Sequence, residues 1–89
     1  MENINLVIAK NLTKYRVLAG LTQLELAQKI NYSDKSISKW ERGDGLPDIL
    51  VLIELAKIYN ITLNDFLIEK DNEKPKVKIA EKKSKLLVS

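Results

Sequence analysis

The chain has 89 residues, 45% of them hydrophobic and 30% charged, with 3 glycines and 2 prolines; this is the composition of one small globular domain with a tail, and it excludes a multidomain enzyme or a collagen-like repeat. With no cysteine and no histidine, disulfides, thiolate and imidazole chemistry and the usual zinc ligands are ruled out, and the reading is a reducing cytoplasm. The net charge of +3 is divided unevenly: residues 1–69 carry eight basic and nine acidic residues, net −1, and residues 70–89 carry seven lysines and three acidic residues, net +4.

In chain order, Ile8, Leu12, Tyr15, Leu18 and Ala19 recur at helical spacing between Asn5 and Ala19, with Lys10, Lys14 and Arg16 between them, and Gly20 supplies a stop. Thr22-Gln23-Leu24-Glu25 is a capping box, after which Leu26, Ala27 and Ile30 line one face of a short second helix ending near Asn31. Ser33 caps a third helix, Asp34 stands on its positive end, and Ile37 and Trp40 face inward three residues apart before the stop at Arg42-Gly43. Asp44-Gly45-Leu46-Pro47 is turn chemistry. Asp48 then opens a fourth helix with Leu52, Leu55, Ala56 and Tyr59 on its buried face, ended by Asn60. A second box, Thr62-Leu63-Asn64-Asp65, opens a last helix with Leu63, Phe66 and Leu67. No segment alternates with period two, so the expected fold is all-α: five short helices in a compact domain over 1–69, with helices too short for a four-helix bundle.

The polar run Glu69-Lys70-Asp71-Asn72-Glu73-Lys74-Pro75 reads as a boundary, and 70–89 as a mobile basic tail or linker whose apolar residues are too sparse for a core. That tail has three readings: a solvated lysine run, a source of non-specific attraction to DNA, or the positive flank of a membrane segment if the chain is part of a longer protein. Within the chain no apolar run reaches the roughly 18 residues that span a bilayer, and Met1-Glu2-Asn3 is not the start of a signal peptide.

The stretch from Leu21 to Gly43, Leu-Thr-Gln-Leu-Glu-Leu-Ala-Gln-Lys-Ile-Asn-Tyr-Ser-Asp-Lys-Ser-Ile-Ser-Lys-Trp-Glu-Arg-Gly, resembles the Cro/cI-type, or XRE-like, helix-turn-helix family of bacterial and phage regulators. Leu46-Pro47-Asp48, Leu55-Ala56-Lys57, Asn60-Ile61-Thr62-Leu63 and Asp65-Phe66-Leu67 extend the likeness over roughly Leu12 to Leu67. The resemblance implies a repressor-like, non-enzymatic domain that binds double-stranded DNA through its third helix, about residues 33–42. Physically, a second helix capped by Thr22 and Glu25 and crossed closely at Ala27 braces the third, whose exposed N-terminal side can enter a major groove about 12 Å wide.

With Ile37 and Trp40 turned inward, Ser33, Asp34, Lys35 and Lys39 are the candidates to face bases, and Arg16, Gln23, Ser36 and Arg42 the candidates for phosphate. Lysine can donate to guanine, and Asp34 can accept from cytosine N4. The resemblance implies base contact for Asp34, Lys35 and Lys39, phosphate contact for Gln23, and a pairing of Arg16 with Glu41. Plainer readings stand beside these: Asp34 as a stabiliser of the helix dipole, Gln23 as a good helix former, the lysines as solvated charges. Phage repressors often carry glutamines in the third helix where this chain has Asp34, Lys35 and Lys39, and the turn at Asp44-Gly45 holds no basic residue for the minor groove.

One domain this small buries little surface on DNA, so a homodimer is expected, on half-sites about 34 Å apart, joined through the fifth helix around Phe66 and Ile68. The alternative is a protein-interaction module such as an antitoxin or anti-repressor subunit. No cofactor, metal or small-molecule ligand is expected, and no glycine-rich phosphate loop or carboxylate pair supports an enzyme.

Overall fold

The computed structural model describes residues 3–69; the expected tail, 70–89, lies outside the described residues. Five helices follow one another: α1 (Ile4–Leu18), α2 (Gln23–Ile30), α3 (Asp34–Glu41), α4 (Ile49–Tyr59) and α5 (Leu63–Leu67). No strand occurs among the described residues.

Local chemistry accounts for nearly every helix end. Asn3, Thr22, Ser33 and Asp48 each accept a backbone N–H in the first turn of the helix that follows, removing one donor that the helix itself cannot satisfy. In α2 the box is complete: Glu25 N–H donates to Thr22 Oγ1 at 3.0 Å and Thr22 N–H to Glu25 Oε1 at 2.9 Å. At α5 the Asp65 carboxylate accepts from Thr62 N–H at 2.9 Å and from Thr62 Oγ1 at 3.1 Å, and Asp65 N–H donates to the Thr62 carbonyl at 3.0 Å. α1 and α3 stop at left-handed glycines, Gly20 and Gly43, and α2 and α4 at left-handed asparagines, Asn31 and Asn60. The chain folds back over the last turn each time, as where Asp44 N–H donates to the Lys39 carbonyl at 3.0 Å and Gly43 N–H to that of Trp40 at 3.1 Å.

One apolar cluster draws on all five helices: Ile8 and Leu12 from α1, Leu26, Ala27 and Ile30 from α2, Ile37 and Trp40 from α3, Val51, Leu55 and Ala56 from α4, and Phe66 from α5. Tyr15 lies stacked against Tyr59 and edge-on to Phe66, with centroids 6.1 and 5.9 Å apart. Among the described residues the buried polar one is Asn11, whose Nδ2 donates to the carbonyls of Phe66 at 2.8 Å and Ile68 at 3.0 Å. Five residues are too few for a helix to persist alone; α5 is held by the Phe66 ring inside and by Asn11 on the carbonyls its own turns leave unpaired.

Three sequence expectations need correction. Phe66 has no exposure at all, so it is a core residue and not a dimer contact; the apolar residues exposed at this end are Leu67 and Ile68. Leu18 and Ala19 are exposed rather than on the packed face, because Leu18 lies about 80° round the helix from Ile8 at ~100° per residue and Ala19 is already the cap. On α4, Val51 is buried, while Leu52 and Tyr59 are only partly so.

Gly20 and Gly43 give a graded test. Both have φ near +80°, at +76° and +81°, but a Cβ on Gly20 meets nothing within 4 Å, whereas one on Gly43 falls 2.9 Å from Leu6 Cδ2. Gly20→Ala should cost about 1 kcal/mol of strain in urea unfolding and Gly43→Ala more; equal losses would show that the Leu6 contact carries no weight.

Candidate nucleic-acid interface

The face in question is built from the inside. Ala27, only 1% exposed, lets α2 and α3 cross closely, and Ile37, Trp40 and the edge-on Tyr32 ring 5.3 Å from Trp40 fasten α3 to the core. What remains outward on α3 is Asp34, Lys35 and Lys39, preceded by exposed Ser33, with Ser36 and Ser38 half-buried. The Ser33 and Ser36 hydroxyls stand 3.2 Å apart, and Ser33 Oγ also accepts the Ser36 N–H at 3.2 Å. The four proposed base-facing residues therefore share the exposed N-terminal side and outer face of one anchored helix.

The far end of α3 is tied to its neighbours by a polar node. Arg16 Nε donates to Glu41 Oε2 at 2.7 Å and Arg16 Nη2 to Oε1 at 3.0 Å, a two-pronged pair. Gln23 Nε2 adds a third bond to Oε1 at 3.0 Å, and Arg16 Nη1 donates to the Leu21 carbonyl at 2.8 Å. Side-chain exposure is 14% for Arg16 and 7% for Glu41, so water competes little. The hydrogen bond to Glu41 holds the Arg16 guanidinium above its ordinary pKa. Arg16, one of the expected phosphate contacts, directs three of its five N–H donors at Glu41 and Leu21. Gln23 is half-buried and shares the same carboxylate.

Arg42 is exposed just past α3. Its Nε donates to Asp44 Oδ2 at 3.0 Å and its Nη1 to Ser38 Oγ at 2.6 Å. The outer face thus carries Lys35, Lys39 and Arg42 as cations and Asp34 and Asp44 as anions, a surface only modestly positive. Among the described residues no group of His, Cys, Asp or Glu is arranged to hold a metal, and no helix is long and apolar enough to cross a membrane.

Sequence reasoning missed Tyr59 as a polar feature. Its hydroxyl is buried with no hydrogen-bond partner among the described residues. Burial, then the charge of Glu41, pushes its pKa up to about 12 against the pull of Arg16. The unfolded phenol ionises near 10. The raised value therefore contributes stability that is fully present below pH 10 and is lost as pH rises through 12, because the unfolded chain gives up its proton first. Tyr59→Phe should leave stability at pH 7 unchanged or higher and flatten the loss between pH 10 and 12; an equally steep loss would remove Tyr59 from the account. Glu41→Ala, which strands Arg16 and Gln23, should cost about 2 kcal/mol or more in the same unfolding measurement.

Residues 12–66 match the family model described as helix-turn-helix. The chain is 38% identical over 64 residues to the HTH-type transcriptional regulator ImmR of Bacillus subtilis, an overlap of 72% of this chain and 50% of that protein; it therefore spans about half of that relative's length. It is 35% identical over 65 residues to an uncharacterized HTH-type transcriptional regulator of Methanocaldococcus jannaschii, covering 72% of this chain and 98% of the relative. The solution structure of the SOS-response transcriptional repressor LexA from Eubacterium rectale superimposes with a TM-score of 0.73 at 26% identity, over 91% of this chain and 86% of that one. With its capped second helix bracing an outward third, and with this match over most of its length, the chain belongs to the Cro/cI-type helix-turn-helix family.

Proposed function

We propose that this chain is a sequence-specific, DNA-binding transcriptional repressor that seats α3 in the major groove. The observation that carries the reading is the anchoring of α3 on its inner side by Ile37, Trp40 and the Glu41 node, which leaves Ser33, Asp34, Lys35 and Lys39 together on the outer side. Lysine donors suit guanine O6 and N7, and Asp34 suits cytosine N4. Ser36, Arg42 and Gln23 supply backbone contacts that set register. Arg16 acts behind them as a brace. The domain is a binding module of a non-catalytic family.

The domain boundary is placed at Glu69, and the +4 of residues 70–89 adds sequence-independent attraction to DNA in the cytoplasm. One copy reads too few base pairs for tight binding, so two act together on an inverted repeat. Because Phe66 is in the core, the self-contact falls to apolar residues left outside it: Leu67 at the end of α5 and Ile68 just after it, and Ile49, Leu50 and Ile53 on α4.

Selection of randomised duplexes by the protein, read by sequencing, tests this. The expected result is an enriched inverted repeat with half-sites about 34 Å apart, lost for Lys35→Ala, with affinity falling steeply as salt rises. No enrichment and a flat salt dependence would point to a protein-interaction module, such as an antitoxin or anti-repressor subunit.

A further inference from the structure

The end of α5 and the residues just after it are held by a side chain from the far end of the sequence. Asn11 is 4% exposed, and its Nδ2 donates to the Phe66 carbonyl at 2.8 Å and to the Ile68 carbonyl at 3.0 Å. Its neighbour Lys10 reaches Glu69 Oε2 through Nζ at 3.0 Å. The segment leaving α5 is therefore clasped to α1, although Ile68 has already turned extended, with φ −114° and ψ 149°. Beside these anchored carbonyls the side chains of Leu67 and Ile68 remain 43% and 39% exposed. Five residues further along the same helix, about 7.5 Å at ~1.5 Å per residue, Arg16 holds Glu41 of α3 in its two-pronged pair. One helix thus grips the outward α3 at one point and the exposed apolar pair at another, through polar bonds that are buried or half-buried.

We propose that α1 is the strut that sets the separation of the two α3 helices when two copies bind DNA together, and that Asn11 is its positioning residue at the self-contact end. This rests on the paired DNA-binding reading above and adds to it the residue that fixes the spacing. In a twofold pair the same patch of each copy meets itself, so the distance between the two α3 helices follows from the path, within one copy, from patch to α3. Along the chain that path runs through two connections and α4; by way of α1 it is one unbroken helix with a polar anchor at each end. Leu67 and Ile68 suit a second copy because their backbone is already fixed, so that contact orders little that was free before. Lys10 and Glu69 beside them are paired with each other, and neither stands as a bare charge against its own image in the second copy. A segment released from Asn11 keeps its apolar residues but loses their place relative to α3. That place matters, because one base pair turns a half-site by about 35° around the duplex axis.

The test is binding of the unaltered chain, Asn11→Ala, Lys10→Ala and Ile68→Ser to a single half-site, to the inverted repeat enriched by selection, and to repeats with one base pair added or removed between the half-sites. The unaltered chain should prefer the selected spacing. Asn11→Ala should flatten that preference about fivefold or more, the worth of at least one lost hydrogen bond, while affinity for the single half-site stays within about twofold. Lost stability alone lowers the active fraction on every duplex by one factor, so the ratio between spacings reports position and not folding. Lys10→Ala should move the ratio the same way by less, and it decides the matter if Asn11→Ala does not fold. Ile68→Ser should abolish the preference and keep half-site binding. The proposal is overturned if the clasp variants leave the ratio unchanged, or if the unaltered chain binds DNA one copy at a time without preference among spacings. Absence of salt-dependent binding to any duplex is a separate result, which would remove the DNA-binding reading and the strut with it.

Discussion

Three helices meet at one carboxylate. Glu41, at the end of α3, accepts two hydrogen bonds from Arg16 of α1 and one from Gln23, the first residue of α2. Apolar packing also holds α2 and α3 together, but such contacts are non-directional and tolerate small rotations. A planar guanidinium on a carboxylate does not, because both prongs are satisfied in only one relative orientation. With water largely excluded from the pair, leaving either charge unmatched is costly. The node therefore fixes the rotation of α3 about its own axis, and with it the set of side chains that faces outward. An interface that reads hydrogen-bonding groups on DNA depends on such precision, since an error of a fraction of an ångström breaks the bonds that discriminate between bases.

The node also shows how a residue's chemistry is redirected by its surroundings. Arginine suits phosphate, and here three of the five N–H donors of Arg16 are directed at Glu41 and the Leu21 carbonyl. Tyr59 stands at the inner side of the same region with its hydroxyl buried, held neutral first because burial penalises its anion and then because that anion would lie beside the charge of Glu41. The cations remaining on the outer face, Lys35, Lys39 and Arg42, are opposed by Asp34 and Asp44. A surface balanced in this way attracts DNA less strongly through bulk charge, so selectivity falls more heavily on the geometry of individual contacts.

Much of the fold is legible in the residues because helix ends are local matters. Thr22 with Glu25, Ser33 and Asp48 start helices through bonds spanning two or three residues, and Gly20, Gly43, Asn31 and Asn60 end them by adopting a conformation other residues resist. The placing of Ile37 and Trp40 inward, and of Asp34, Lys35 and Lys39 outward, follows from helical spacing in the same way. The pairing of Arg16 with Glu41 came from the family resemblance, since nothing in residues 25 positions apart marks them as partners.

The remainder was decided by tertiary structure. Asn11 reads as an ordinary polar residue of α1, yet it is buried and holds two carbonyls 55 and 57 residues away. Phe66 could face a partner or the core as far as spacing goes; the Tyr15 and Tyr59 rings and the brevity of α5 put it inside. The sequence by itself thus determined where helices begin, where they end and which stripe of each is apolar, because those properties arise from hydrogen bonds and side-chain spacing within a turn or two. Which polar groups are used up in holding the helices together, and which stay available to a ligand, depends on distances between segments remote in the chain, and only the packed structure sets those.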